Sequence, residues 1–543
     1  FKKDWNLTAS LGYSWQNRRN ERTNLTVGTT SQPDMPSLAN NGAILVGNDS
    51  YDGKEKVSVF AMANVGYKDM VYLDGTVRND WSSTLSPGNN SYFYWSTGLS
   101  FILTQAFDIP KEILTFGKLR GSVATVGNDA PFDSLYDGLN LSSTYLGMPY
   151  YMTDNIRKNP NLKPEQTTSY EVGADFRFWN NRISVDFTYY WKSTTDQIMR
   201  ASVSSASGYK ERFVNAGEIQ NRGAELTASI TPVKTKNFEW TTIFNWSKNN
   251  SKVVSLTPGV DRYQVRAAGA DGCISYVGVG KPYGQMYGTD WQRDAAGNVI
   301  ADVSGKPLEQ KDVYIGCVEP DFLGGWKNQF RYKGFDFSFL FDFKKGGLFY
   351  SETAYKANNM GNSIKSLEGR DEYFFSKWVL DESDQERAGY LRPTDVPFPA
   401  DAQANRVPYM DGARPKGVYF PGRVFEASIE GLGGQPVVND WVKPDVMFCH
   451  ISGRNAKMNT YDATYVKLRE VALGYTFPKK LLRKTPFQSL RLSAVGRNLA
   501  ILFQNTPQGI DPEATSTTGN GQGFEQGYPL PTATYGFDLK VTF

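Results

Sequence analysis

The sequence predicts an all-β fold, a transmembrane antiparallel β-barrel with short turns at one end and long loops at the other. Three observations predict it. Segments of roughly 10–13 residues alternate apolar and polar side chains, which a strand sorts onto two opposite faces. The apolar rows tend to begin and end on aromatic residues, the girdle positions where a strand meets each lipid interface. Very short turns alternate with long polar loops, the asymmetry of outer-membrane barrels.

The elements follow in order. Trp5–Trp15 places Trp5, Leu7, Ala9, Leu11, Tyr13 and Trp15 on one face. The polar stretch 16–55 reads as a loop. Val57–Tyr67 and Val71–Val77 flank a tight turn at Lys68–Asp69. Phe93–Leu103 and a strand near 116–127 come next, then a long loop to about Gln166. Tyr170–Phe178 and Ile183–Trp191 form the clearest hairpin, reversed at Asn180–Asn181, residues that tolerate left-handed backbone. Ala224–Ile230 and Phe238–Trp246 follow. A loop of about seventy residues, 249–322, precedes a strand near 324–332. After the turn Lys333–Gly334, Phe335, Phe337, Phe339, Phe341 and Phe343 share one face, a ribbon suited to lipid rather than water. The segment 344–464 breaks the pattern and reads as a long extracellular loop with short helical pieces, for example near 371–381. Strands resume at Tyr465–Phe477, Ser489–Asn498 and Thr534–Phe543. The total is about fourteen, and bare edges are untenable in lipid. The last strand is therefore expected to pair with a strand outside this sequence rather than with Trp5–Trp15.

Composition narrows the function. Lys+Arg (59) nearly balances Asp+Glu (56), so no nucleic-acid partner is implied. No apolar run approaches the ~18–20 residues of a membrane-spanning helix. Residue 1 already lies in a strand-like pattern, so no secretory leader is read and the chain is expected to be processed or incomplete at its start. Cys273, Cys317 and Cys449 allow at most one intrachain disulfide. His450 is the single histidine, which excludes a multi-histidine zinc site within this chain and leaves little for a catalytic triad. Val277–Pro282 (VGVGKP) lacks the glycine spacing and hydroxyl of a phosphate loop and reads as a Gly-rich connection. No cofactor or metal is called.

Two residue classes are candidates for ligand contact. Asp186, Lys192, Asp336, Asp342, Lys467, Arg491 and Arg497 fall on the polar faces, where they hydrate and pair within a lumen wall. The long loops carry aromatics beside amides and hydroxyls, which suit stacking on sugars or peptides. The candidate substrate contacts are Tyr287, Trp291, Trp378, Tyr409 and Trp441.

Several stretches resemble the SusC/RagA-like TonB-dependent outer-membrane transporters of Bacteroidetes. They are Asn159–Glu165 (NPNLKPE) with the hairpin after it, Asn221–Leu226 (NRGAEL), Ile315–Phe343, Tyr465–Pro478 (YVKLREVALGYTFP), Leu490–Leu499 and Gly509–Glu513 (GIDPE). The resemblance implies that 1–543 is the C-terminal portion of a 22-stranded barrel, with the plug, TonB-contacting segment and early strands outside the given sequence. It further implies no catalysed reaction, but active import of oligosaccharides or oligopeptides. The implied partners are a SusD/RagB-like surface lipoprotein, TonB–ExbB–ExbD acting through the absent N-terminal part, and outer-membrane lipid. Two other readings stay open at this point: a self-contained passive channel of about fourteen strands, and a surface carbohydrate-binding β-protein.

Overall fold

In the computed structural model, the structure describes residues 4–27, 45–146, 148–267, 272–301, 307–363, 423–425, 436–437, 455–516, 521–527 and 531–543. Fourteen strands form one sheet in strict sequence order. They are β1 (Trp5–Val27), β2 (Leu45–Tyr67), β3 (Val71–Ser82), β4 (Ser91–Ile102), β5 (Leu114–Asn128), β6 (Glu165–Phe178) and β7 (Ile183–Thr195). There follow β8 (Glu218–Lys234), β9 (Phe238–Ser255), β10 (Phe322–Tyr332), β11 (Phe335–Lys345), β12 (Tyr465–Thr476), β13 (Ser489–Gln504) and β14 (Thr534–Thr542). Among the described residues, β1 and β14 are the edges of this sheet.

The short turns take the left-handed backbone that two-residue hairpin loops demand. Lys68 and Asp69 have φ of 50° and 53°, and Lys333 and Gly334 of 46° and 95°. The longer of the short connections fold into single helical turns, Leu103–Ala106 and Lys479–Leu482.

The chain divides into two compact units. In the first (Phe1–Pro232, Ile243–Tyr263, Val279–Lys281), β1 and β2 pair without interruption from Trp5↔Tyr67 to Val27↔Leu45. The expected loop 16–55 is therefore largely strand. The outward face explains the difference. It runs apolar from Trp5 to Trp15, then turns polar at Asn17, Arg19 and Glu21. The first stretch matches the ~9–11 residues that cross a bilayer, and the rest continues above it, where no apolar row is needed. Trp15 marks the boundary, its indole N–H donating to Glu55 at 2.6 Å. The connection between the rows Ile183–Trp191 and Ala224–Ile230 is likewise shortened, because β7 reaches Thr195 and β8 starts at Glu218.

In the second unit (Val233–Thr242, Gln264–Gly278, Pro282–Phe543), the phenylalanine ribbon lies on the outward face of β11, as expected. Phe330 and Phe337 stack at 6.1 Å, and Trp326 stacks on Phe341 at 5.8 Å. The expected loop 249–322 contains a four-stranded sheet instead, made of Arg262–Ala267, Ile274–Gly278, Gln285–Trp291 and Glu309–Cys317. Its strands are short and its alternation is broken by register shifts, so periodicity does not show it. After β11 comes a helix, Glu352–Asn359, N-capped by Ser351. The helical expectation near 371–381, and most of 344–464, lie outside the described residues.

Candidate functional site

The inward faces of the strands carry charge, and the structure pairs it across strands. In the first unit, Arg120 on β5 makes a two-pronged bond to Asp186 on β7, both contacts at 2.8 Å. It reaches over β6 at Gly173, where a Cβ would sit 2.7 Å from the guanidinium. In the second unit, Arg491 on β13 bonds Asp336 on β11 at 2.5 and 3.1 Å, passing over Gly474 on β12. A Cβ at Gly474 would meet the Asp336 carboxylate at 2.6 Å. A third bridge is uncharged: Tyr190 on β7 crosses Gly223 on β8 to donate to Asn249 on β9 at 3.0 Å. Glycine inside a strand marks such close approach. The other charges singled out also find partners: Asp342 with Arg469, Arg497 with Glu470 at 3.1 Å, and Lys192 only loosely with Glu171 at 4.0 Å.

The densest cluster joins two of the motifs noted above. The GIDPE segment folds back onto the YVKLRE strand. Lys467, its side chain 5 % exposed, donates to Asp511 and Glu513 at 2.6 Å each. Glu513 also accepts from Tyr465 and Arg469 at 2.8 Å. A register shift in β12 beside Arg469 brings Lys467, Arg469 and Glu470 together on the inner side. Burial pushes the Glu513 carboxyl up, but the Lys467 and Arg469 bonds outweigh it and hold the group below its ordinary range. Further along, Glu525 accepts from Ser351 at 2.6 Å and from Thr353 at 2.5 Å, tying the same connection to the helix Glu352–Asn359.

Of the aromatic candidates, Tyr287 stands between Tyr276 and Tyr314 on one face of the four-stranded sheet, with ring centroids 5.5 and 5.4 Å away. Sequence reading missed Tyr276 and Tyr314, because only the strand pairing brings them beside Tyr287. The opposite face packs Cys273 and Met286 into a core with Tyr350, Ala456 and Phe524. Trp291 is 3 % exposed, so its ring is packed inside the unit and presents no open face to a ligand. Trp378, Tyr409 and Trp441, with His450 and Cys449, lie outside the described residues. The Cys317 thiol donates to the Tyr283 carbonyl at 3.2 Å. Of the Gly-rich run Val277–Pro282, Val277 and Gly278 end the strand Ile274–Gly278 and the rest is a connection, held by Val253 N–H to the Lys281 carbonyl and Gly280 N–H to the Val253 carbonyl.

Comparison with known proteins agrees with this architecture. "TonB-dependent receptor P3" of Formosa agariphila is 26 % identical over 98 % of this chain and 50 % of its own length. "TonB-dependent receptor SusC" of Bacteroides thetaiotaomicron is 29 % identical over 52 % of this chain and 30 % of its own. The solved RagAB peptide transporter superposes over the whole chain and 54 % of its own with a TM-score of 0.69 at 18 % identity, a likeness of fold. The chain thus spans about half the length or less of the curated relatives it matches. Residues 1–373 match the family model for the TonB dependent receptor-like β-barrel, and the chain belongs to that family of outer-membrane receptors.

Proposed function

We propose that this chain is the barrel portion of an importer for oligosaccharides or oligopeptides, energised by TonB–ExbB–ExbD through a plug outside the given sequence. It catalyses no reaction. Strands outside the sequence close the barrel against β1 and β14, and a SusD/RagB-like lipoprotein covers the extracellular loops. The observation that carries the reading is the inner wall, whose charges are locked to one another across three strands. Such a wall is polar yet internally satisfied, so a plug and a solute can slide past it without leaving buried charge unpaired. The tyrosine face of Tyr276, Tyr287 and Tyr314 supports stacking on a sugar or peptide, with Trp378, Tyr409 and Trp441 as further contacts. Deleting the gene tests it. Growth is expected to fail on one class of oligosaccharide or oligopeptide and to return on complementation. Unchanged growth on every such source would contradict the reading.

A further inference from the structure

The short turns of the two units differ in charge. In the first unit, the turns 68–70, 103–113 and 179–182 carry Lys68, Lys111 and Arg182 against Asp69, Asp108 and Glu112. In the second, the turns 235–237, 333–334 and 477–488 carry Lys236, Lys333, Lys479, Lys480, Arg483 and Lys484, with no Asp or Glu. These cations are exposed. Glu239, just inside β9, is taken by Lys234 at 3.7 Å and Arg331 at 3.3 Å. Among the described residues, none of the turn cations makes an ion pair. Backbone bonds join the three turns into one rim: Lys333 N–H donates to the Asn237 carbonyl at 3.1 Å, and Thr476 N–H to the Gly334 carbonyl at 2.8 Å. Lys479 and Arg483, like Lys480 and Lys484, are spaced four apart on a helical turn, where like charges repel unless an anion lies between them.

The turn 477–488 is anchored at both ends on the lipid-facing surface. Phe335, on the outward face of β11, meets Tyr475 at 4.5 Å, and Tyr475 meets Phe477 at 5.1 Å. On the return, Phe487 meets Phe543 at 5.4 Å. Aromatic rows of this kind stand where a barrel crosses the membrane interface. The backbone fixes the same ends: Phe477 N–H donates to the Leu490 carbonyl at 2.9 Å, and Gln488 N–H to the Thr542 carbonyl at 2.7 Å. Between them Leu482 is buried, whereas Leu481 is 67 % exposed. An exposed leucine among Lys and Arg, beside an aromatic row, is the composition of a segment that lies in the headgroup layer. The long Lys and Arg side chains can reach headgroups while their stems rest on apolar surface.

Charge and position select the occupant. The short turns of an outer-membrane barrel face the periplasm, so the rim borders the phospholipid leaflet on that side. The core of a protein interface is depleted of Lys, whereas clusters of four or more Lys/Arg beside a membrane-crossing segment recruit anionic lipid. We infer that the turn 477–488, together with Lys236 and Lys333, is a binding site for anionic phospholipid headgroups, which neutralise the rim and hold the second unit at the inner edge of the membrane. This stands apart from what the barrel imports.

The test uses the full-length protein in detergent, titrated with phosphatidylglycerol or with phosphatidylcholine of the same acyl chains, and bound lipid is counted by native mass spectrometry. One cation near a charged lipid surface is worth about fivefold in affinity. The parent is therefore expected to prefer phosphatidylglycerol by about tenfold or more, and raised salt during the titration is expected to weaken that preference. Equal retention of the two lipids, or a preference that salt leaves unchanged, overturns the inference. Combining Lys479→Gln, Lys480→Gln, Arg483→Gln and Lys484→Gln is expected to remove most of the preference, with heat-modifiable mobility showing an intact barrel. Lys68→Gln with Lys111→Gln, in the first unit, is expected to leave it in place. No loss from the first set, or equal loss from both, overturns the inference. Displacement of the lipid by inorganic phosphate at the same concentration would make this a site for a free anion and overturn the lipid assignment. A photo-crosslinking residue in place of Leu481 is expected to give phospholipid adducts in cells. A discrete protein adduct would assign the turn to an acidic periplasmic protein and also overturn the inference.

Discussion

The two faces of β10–β13 solve one problem in opposite ways. Outward, lipid offers no hydrogen-bond partner, so polar atoms must be satisfied by neighbours or be absent. The Trp326 indole donates to Thr242 at 2.8 Å, and the Trp240 indole donates to Asn328 at 3.1 Å beneath the phenylalanine ribbon. Inward, full charges are present, and they are paired by reaching over a glycine on the middle strand, as Arg491 does at Gly474. The outer face tolerates single weak bonds because little polarity is placed there. The inner face carries charge whose loss leaves a partner stranded, so changes there are expected to cost more.

The largest effect is expected at Lys467. Lys467→Met leaves the buried Asp511 carboxylate without its cation, while Glu513 keeps Arg469 and Tyr465, and is expected to cost about 3 kcal/mol. The measurement is the denaturant midpoint of the barrel in detergent, with proteolysis reporting release of the segment 505–516. Gly474→Val comes next. It pushes a side chain into the Asp336–Arg491 pair and is expected to cost about 2 kcal/mol. Gly75→Ala is the control, since nothing lies within 4 Å of a Cβ there, and it is expected to change the midpoint by less than about 0.5 kcal/mol. Equal effects at the two glycines would break the distinction between a bridged and an open position.

The acid response is smaller. Glu513 is held below its ordinary range, so its contribution is fully present above the unfolded value of about 4.3 and is lost as pH falls through the lower folded value. Hydrogen-exchange protection of the segment 505–516, taken relative to the intrinsic rate at each pH, is expected to be constant from pH 7 to 5 and to fall only in stronger acid. Loosening already between pH 7 and 5 would mean that the bonds to Lys467 and Arg469 do not hold this carboxyl. The smallest effect belongs to the outer face. Asn328→Leu removes the acceptor for Trp240 together with a buried amide nitrogen that has no bond, and the two changes are expected to offset to within about 1 kcal/mol. A cost as large as that of Lys467→Met would erase the contrast between the faces.

The alternation from Trp5 to Trp15 and the ribbon from Phe335 to Phe343 were legible because lipid imposes a pattern on every second residue. The upper halves of β1 and β2 were not, since above the bilayer both faces are polar and a strand there looks like a loop. Bridges such as Arg120–Asp186 join residues 66 apart, and only the strand register reveals them. Glycine in mid-strand at Gly173 and Gly474 was the available hint. The contact between YVKLRE and GIDPE was hidden for the same reason, although both motifs were visible. Tyr287 was found by residue type, and its companions Tyr276 and Tyr314 needed the sheet.

Energised import, proposed above, is best probed by uptake of a labelled oligosaccharide or oligopeptide into cells carrying the full-length protein. Uptake is expected to be lost when TonB is removed or the proton-motive force is collapsed, while the protein remains in the outer membrane. Uptake that continues unchanged without TonB would contradict it and would identify a passive channel.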